Sequence, residues 1–283
     1  MAIKIVTDST AYLSPEILAR YDLRVVPLKV LFGKTVYRDG VDLSSAEFHR
    51  LLATASELPT TSQPAVGEFE AVYAGLISQG HEVLSIHISG QLSGTVESAR
   101  AAVKSFPQAQ IHVVDSLTTS IGLAMMVIRS AEAAAQGRDT GYILERLEWM
   151  IRDTTLLFVV DTLEYLEKGG RIGPARALLG RLLKIKPILK LDNGLVAPFT
   201  TVRTKHKAIA FMIDQLAAAA GGRQVYIGIG HVQVPDEMDE LQESLCNRLE
   251  CVELCRGEIG PVVSTHTGPG LLGVAICPVE SAP

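Results

Sequence analysis

No stretch of this chain reaches the ~18 to 20 uninterrupted apolar residues of a membrane span, and the opening "MAIKIVTDST" turns polar too soon for a secretory signal. The expectation is a cytoplasmic protein with no stable membrane insertion. Cysteine is scarce. Cys246, Cys251, Cys255 and Cys277 are the whole set, no two form a CxxC, and no histidine stands beside them, which suits buried thiols better than a metal site or redox pair. No phosphate loop of the G-x-x-x-x-G-K-[ST] type occurs, so nucleotide binding has little direct support. Basic residues are outnumbered, 26 against 31, and a formal net charge of −5 offers no general attraction to nucleic acid.

What the chain does have is aliphatic mass. Its 283 residues are 47% hydrophobic and only 5% aromatic, a composition that fits a globular α/β protein. That length accommodates two domains at about 150 residues each. A unit of strand, hydroxyl-rich loop and helix recurs. "AIKIVTDST" leads to "LSPEILARY", where Ser14 can cap a helix with Pro15 in its first turn. "LRVVPLKVLF" reads as one further strand, "RDG" as a turn, and "SSAEFHRLL" as a helix with Ser44 and Glu47 at capping-box spacing.

The loop "LPTTSQP" precedes a helix from about Ala65 to Gln79. "EVLSIHIS" is then a strand with Leu84, Ile86 and Ile88 on one face, and Val96, Ala99, Val103 and Phe106 form a helical stripe beyond it. "AQIHVVDS" repeats the design before "SIGLAMMVIRSAEAAA". The pattern predicts a mostly parallel sheet flanked by helices, with ligands outside the carboxyl ends of its strands. After "TLLFVVDT" the pattern changes. "LEYLEKGGRIG" is a short helix stopped by glycines, and Asn193-Gly194 marks a hairpin. A helix from about Lys205 to Ala220, the strand "QVYIGIGHV", another helix and closing strands through "PVVSTHTGPGLLGVAIC" predict a second α/β domain with a mixed or antiparallel sheet. The boundary is expected near residue 160, giving domains 1–160 and 161–283, with 50–80 able to pack on either.

"HISGQLSGT" supports two readings. In one, Ser93 merely caps the next helix, accepting from the N–H near Val96. In the other, Gly90 and Gly94 let the backbone approach an anion, with Ser93 and helix-start N–H groups as donors. "PTTSQP" offers Thr60, Thr61 and Ser62, more hydroxyls than one cap needs. "THTGPG" places His266 in a Gly-Pro loop. Arg171 and Arg203, beside Lys205 and Lys207, could meet a phosphorylated headgroup or an acidic partner. A serine hydrolase built from Ser93, His266 and Asp8 remains open, as does a module for another small anion such as a phosphometabolite.

Taken in order, "VTDST", "TTSQP", "ISGQLSGT", "VVDS", "LEYLEKGGRIG", "KPIL", "VRTKHKA" and "THTGPGLLG" resemble the DegV family over essentially the whole chain. The resemblance implies a bacterial two-domain α/β fold that binds one long-chain fatty acid, such as palmitate, in a tunnel between its domains. It also implies a substrate-presenting role without catalysis. A separate ATP-dependent kinase subunit would convert the bound acid to an acyl phosphate for phospholipid synthesis. Carried over by motif, Thr61, Ser93 and His266 are the implied carboxylate ligands, with Asp8, Ser9, Ser62, Gly94 and Thr95 in the supporting loops. Arg171 and Arg203 are implied contacts of the kinase or the phosphate. No metal and no further cofactor are implied.

Overall fold

The computed structural model describes residues 2–180 and 185–279. The chain divides into two compact units, one comprising Met1–Arg152 with Gly260–Val262, the other Asp153–Ile259 with Val263–Pro283. The boundary therefore falls ahead of residue 160, and residues 50–80 lie in the first unit. Among the described residues, no helix is long and apolar enough to cross a membrane.

The first unit runs β1 (Ile3–Asp8), α1 (Pro15–Arg20), β2 (Arg24–Val26), β3 (Lys29–Phe32), β4 (Thr35–Arg38), α2 (Ser45–Thr54), β5 (Thr60–Ser62), α3 (Val66–Ser78), β6 (Glu82–His87), α4 (Thr95–Val103), β7 (Ile111–Asp115), α5 (Ser120–Ala135) and α6 (Thr140–Asp153). Four strands form a wholly parallel sheet in the order β2-β1-β6-β7. On one face Val6 and Val83 pack under Phe69, Tyr73 and Leu76 of α3 and Ala99 and Ala102 of α4. Helix α5 is buried on every side from Ser120 to Ile128, as its nearly unbroken apolar sequence requires.

The stretch expected to be one strand, "LRVVPLKVLF", is two. Pro27 lacks an N–H and cannot continue a ladder, so β2 ends before it and β3 starts after it in a different sheet. That second sheet is antiparallel, ordered β4-β3-β5, and it turns the expected loop "TTSQP" into the short strand β5, with Thr61 opposite Val30. Tertiary pairing supplied by β3 overrides a local sequence that reads only as turn.

The second unit contains β8 (Thr155–Val159), α7 (Glu164–Lys168), β9 (Lys186–Asp192), β10 (Leu195–Val202), α8 (Lys205–Ala220), β11 (Val225–His231), α9 (Pro235–Cys246), β12 (Cys251–Glu258), most of α10 (Pro261–Thr267), and β13 (Leu272–Pro278). Its sheet is mixed, in the order β10-β9-β8-β13-β11-β12, and only β11 and β12 run parallel. The β9–β10 hairpin turns at Asn193 and Gly194, both with positive φ (47° and 81°), as a two-residue turn of this kind demands. Met212 and Leu216 of α8 and Leu241 and Leu245 of α9 bury against Leu157, Ile227, Val274 and Ile276 of the sheet. The closing segment corrects the expectation of continuous strands. Pro261 opens a helix, and His266 sits in its last turn rather than in the Gly-Pro loop that follows.

Candidate functional site

In the first unit the loops after β1, β6 and β7 leave the carboxyl ends of adjacent parallel strands, the place where such sheets bind ligands. They are tied together by two internal carboxylates. Asp8, fully buried at the end of β1, accepts four hydrogen bonds. Thr10 donates to Oδ1 from its N–H (3.1 Å) and hydroxyl (2.6 Å); Ile88 N–H (2.9 Å) and His87 Nδ1 (3.1 Å) donate to Oδ2. Beyond His87 the chain continues inward, with Nε2 2.7 Å from Ser85 Oγ and that hydroxyl 2.8 Å from Tyr73 OH. Burial pushes the Tyr73 phenol up to about 12, so it remains an O–H throughout the physiological range. With the imidazole proton on Nδ1, every member of the relay is satisfied.

Asp115 does the same for the third loop. Both of its carboxylate oxygens lie 3.1 Å from Gly90 N–H, and Oδ1 also accepts from Leu117 N–H at 3.0 Å. This corrects the anion-approach reading of the glycines. A Cβ on Gly90 would stand 2.8 Å from Asp115 Oδ2, and one on Gly94 2.8 Å from Gln63 Nε2. The two glycines make room for protein side chains, and the Gly90 N–H is already spent on a carboxylate.

The cap reading of Ser93 is corrected as well. Helix α4 starts one residue later than that reading needs: Gly94 is the N-cap, and no side chain caps the helix. The Ser93 hydroxyl instead lies 2.9 Å from Thr95 Oγ1, a pair in which one proton is shared and the other is left to donate elsewhere. Gln63, packed on Gly94, brings "TTSQP" against this loop, and Thr61 lies two residues away on β5. Ser62 turns its hydroxyl to the Gln63 carbonyl (3.2 Å), and Ser9 accepts from Leu28 N–H (3.1 Å). Thr61, Ser93, Gly94 and Thr95 thus belong to one unit, their two segments meeting at Gln63 and Gly94, and Asp8 is tied to the start of the Ser93 loop through the Ile88 N–H.

The remaining candidates belong to the second unit. Two glycine-containing segments fit into each other there: Gly169 lies against the His266 ring, Gly268 against the Tyr165 ring, and Gly270 against the Asp161 carboxylate. Each contact is too close for a Cβ. Gly268, Gly270 and Gly273 have the spacing of a dinucleotide loop, yet they lead into β13 and not into a helix. Burial of the imidazole, with a smaller contribution from the Arg171 guanidinium, pushes His266 down to about 4, so at neutral pH it offers a neutral ring, not an imidazolium. Arg171 donates from Nη1 to the Gly169 carbonyl at 2.8 Å. Arg203 is exposed between the end of β10 and Thr204, the N-cap of α8. Among the described residues no cluster of His, Cys, Asp and Glu is arranged to hold a metal ion.

Sequence reasoning missed the Asp8–His87–Ser85–Tyr73 relay. His87 and Asp8 are 79 positions apart, and an alternating strand pattern gives no sign that two of its inward residues are polar and joined.

Comparison with known proteins places this geometry in context. A family model for uncharacterised proteins of the DegV family matches residues 2–279. A DegV domain-containing protein of Deinococcus radiodurans is 40% identical over 284 residues, covering 99% of this chain and 100% of that protein. The DegV protein of Bacillus subtilis is 35% identical over 279 residues, 98% and 99% of the two chains. Among solved structures, a fatty-acid-binding DegV-family protein from Thermus thermophilus superposes with a TM-score of 0.94 at 38% identity, covering 99% of this chain and 100% of that one. The structure of Bacillus subtilis DegV, described as a fatty acid binding protein, gives 0.90 at 34% identity, with 99% and 100% covered.

Proposed function

Because the chain belongs to the DegV family, we propose that it binds one long-chain fatty acid and holds the carboxylate with the hydroxyls of Thr61 and Ser93, assisted by His266. The observation that carries the reading is the Ser93–Thr95 hydroxyl pair, released from capping duty and holding a spare O–H beside Thr61's strand. A carboxylate leaving water needs such charge-assisted donors. Burying the tail supplies roughly 0.8 kcal/mol per CH2, on the order of 10 kcal/mol for a C16 chain before ordering costs. Affinity then comes from the tail and registration from the headgroup.

We infer further that the protein is a substrate-presenting subunit in a bacterial cytoplasm, serving a separate ATP-dependent kinase that makes an acyl phosphate for phospholipid synthesis. Arg171 and Arg203 are the residues assigned to that partner or to the phosphate. The absence of a phosphate loop of the G-x-x-x-x-G-K-[ST] type supports this division of labour. The serine-hydrolase alternative loses its orienting acid, since Asp8 is engaged by His87, Thr10 and Ile88. The test is organic extraction of the purified protein followed by mass spectrometry, then oleate titration of the delipidated protein. A bound fatty acid is expected, with weaker oleate binding in Thr61→Val and Ser93→Ala. A protein with no measurable affinity for fatty acids, or two variants that bind as tightly as the parent, would refute the proposal.

A further inference from the structure

Asp39 follows β4 directly and is 2% exposed, and neither carboxylate oxygen has a hydrogen bond of good geometry, the Ser9 hydroxyl and the Val262 N–H being the donors that approach it. Its surroundings are apolar. Leu28, Leu43 and Val262, which flank it, belong with Val30 and Phe48 to one buried cluster. The polar groups facing it are the Ser9 hydroxyl, the Val262 N–H and, at longer range, the Asp8 carboxylate. Asp8 is also the one titratable group that acts on it among the described residues. Two cations of the same sheet are engaged elsewhere, Arg38 with Asp42 and Lys29 with Glu68. A carboxylate in such a place is expensive, whereas a protonated carboxyl needs only modest satisfaction.

The position is linked to both headgroup loops through intervening residues. Asp39 N–H donates to the Leu28 carbonyl (2.9 Å), Leu28 N–H donates to Ser9 Oγ, and the next two residues of that strand pair with Ser62 and Thr61. Asp39 is therefore about two strand spacings, roughly 10 Å, from the "TTSQP" segment. On its other side Asp8 holds the Ile88 N–H from which the Ser93 loop departs.

We propose that Asp39 is a proton-controlled positioning residue for the carboxylate-binding loops, supporting them while it carries a proton and loosening them when it ionises. The proposal rests on the fatty-acid reading above. Ionisation places a negative charge, met by the Ser9 hydroxyl and the Val262 N–H but by no cation among the groups that act on it, beside Asp8 and within electrostatic reach of a bound carboxylate, so ligand and proton favour one another. Burial, against the opposing pull of the Ser9 hydroxyl and the Val262 N–H and with a smaller push from the Asp8 charge, raises this carboxyl to about 7, where the exchange responds to modest pH changes. His266, held at about 4, does not titrate in that window.

The experiment is the dissociation constant of oleate for the delipidated full chain between pH 6 and 8.5, in the parent and in Asp39→Asn, which imitates the protonated form. The parent is expected to weaken by about tenfold across this range, with Asp39→Asn flat near the parent's pH 6 value. A flat parent, or a variant that keeps the parent's slope, overturns the proposal. Infrared difference spectroscopy of the unliganded parent reads the same proton without a ligand or a variant. A buried carboxyl C=O band must disappear as pH passes about 7, and its absence at pH 6 also overturns the proposal. If the band titrates as expected but no oleate binds at any pH, the functional reading has failed and the protonation of Asp39 has not.

Discussion

Replacing Asp8 with Asn removes a charge while keeping the shape, and the four hydrogen bonds let its cost be worked out. The amide retains one acceptor oxygen and sets an NH2 group where the other stood. If the NH2 takes the Oδ1 place, the Thr10 hydroxyl can rotate to accept from it, but Thr10 N–H is left without an acceptor. If it takes the Oδ2 place, His87 can change tautomer to accept on Nδ1, at the expense of reversing the Ser85–Tyr73 relay, and Ile88 N–H is left unpaired. Either way one buried backbone N–H is orphaned, worth about 1–3 kcal/mol, and the surviving bonds fall from charge-assisted to neutral strength, about 1 kcal/mol each. The sum is about 3–6 kcal/mol. The assay is amide hydrogen exchange at Thr10 and Ile88 together with urea unfolding of the delipidated protein, since a two-unit chain need not unfold in one step. Exchange at those amides should accelerate at least a hundredfold, the kinetic equivalent of about 3 kcal/mol. A variant within about 1 kcal/mol of the parent would show that the four-donor cage contributes little.

Two further outcomes follow from the second unit. His266 is pushed below its unfolded value to about 4, so its contribution to stability is present above pH 6.5 and is lost as pH falls through about 4; His266→Gln should flatten that part of the acid-unfolding profile, and an unchanged profile would refute the assignment. Gly169→Ala should move the His266 ring, because a Cβ there collides with Nδ1 and stands 2.9 Å from the Tyr165 carbonyl; a loss of about 1–3 kcal/mol by chemical denaturation with weakened oleate binding is expected, and parental behaviour in both would remove the contact from consideration.

Features whose causes are local were legible in the sequence. Ser14, Ser44 and Thr204 each cap the helix that follows, accepting from Ile17, Glu47 and Lys207 N–H, and Asn193-Gly194 turns the hairpin as its composition demands. Features decided by a distant partner were not. "TTSQP" becomes a strand because β3 pairs with it, and nothing within those residues announces that partner. The Ser93 loop shows the same division at the scale of one residue: its hydroxyls and glycines mark a tight turn, but Asp115 and Gln63, the side chains for which Gly90 and Gly94 make room, are distant in sequence. In the sequence Asp39 reads only as part of a turn, "RDG". Its significance comes from burial under Leu28, Leu43 and Val262, the last of them more than 200 positions away.

These arrangements bear on which anion the first unit is suited to hold. A loop that cradles phosphate offers free backbone N–H groups, usually with a cation. Here Asp115 already occupies the Gly90 N–H and Asp8 the Ile88 N–H, so two of the groups a phosphate would use are neutralised from within. What remains is a pair of coupled hydroxyls in Ser93 and Thr95 beside the Thr61 strand, and the internal carboxylates add negative charge beneath them. A dianion would meet repulsion there, and the segments "TDST", "TTSQP", "SGQLSGT" and "VVDS" contain no lysine or arginine to compensate. A single carboxylate needs fewer donors and tolerates the site if other binding energy is available, which an acyl tail supplies at about 0.8 kcal/mol per CH2. If the first unit holds a fatty-acid carboxylate as proposed, the carboxylates that brace the loops would also disfavour small, highly charged ligands, which lack a tail to offset the cost. Inorganic phosphate at millimolar concentration should accordingly leave the melting temperature of the delipidated protein unchanged while oleate raises it, and stabilisation by phosphate that Ser93→Ala abolishes would refute this account of selectivity.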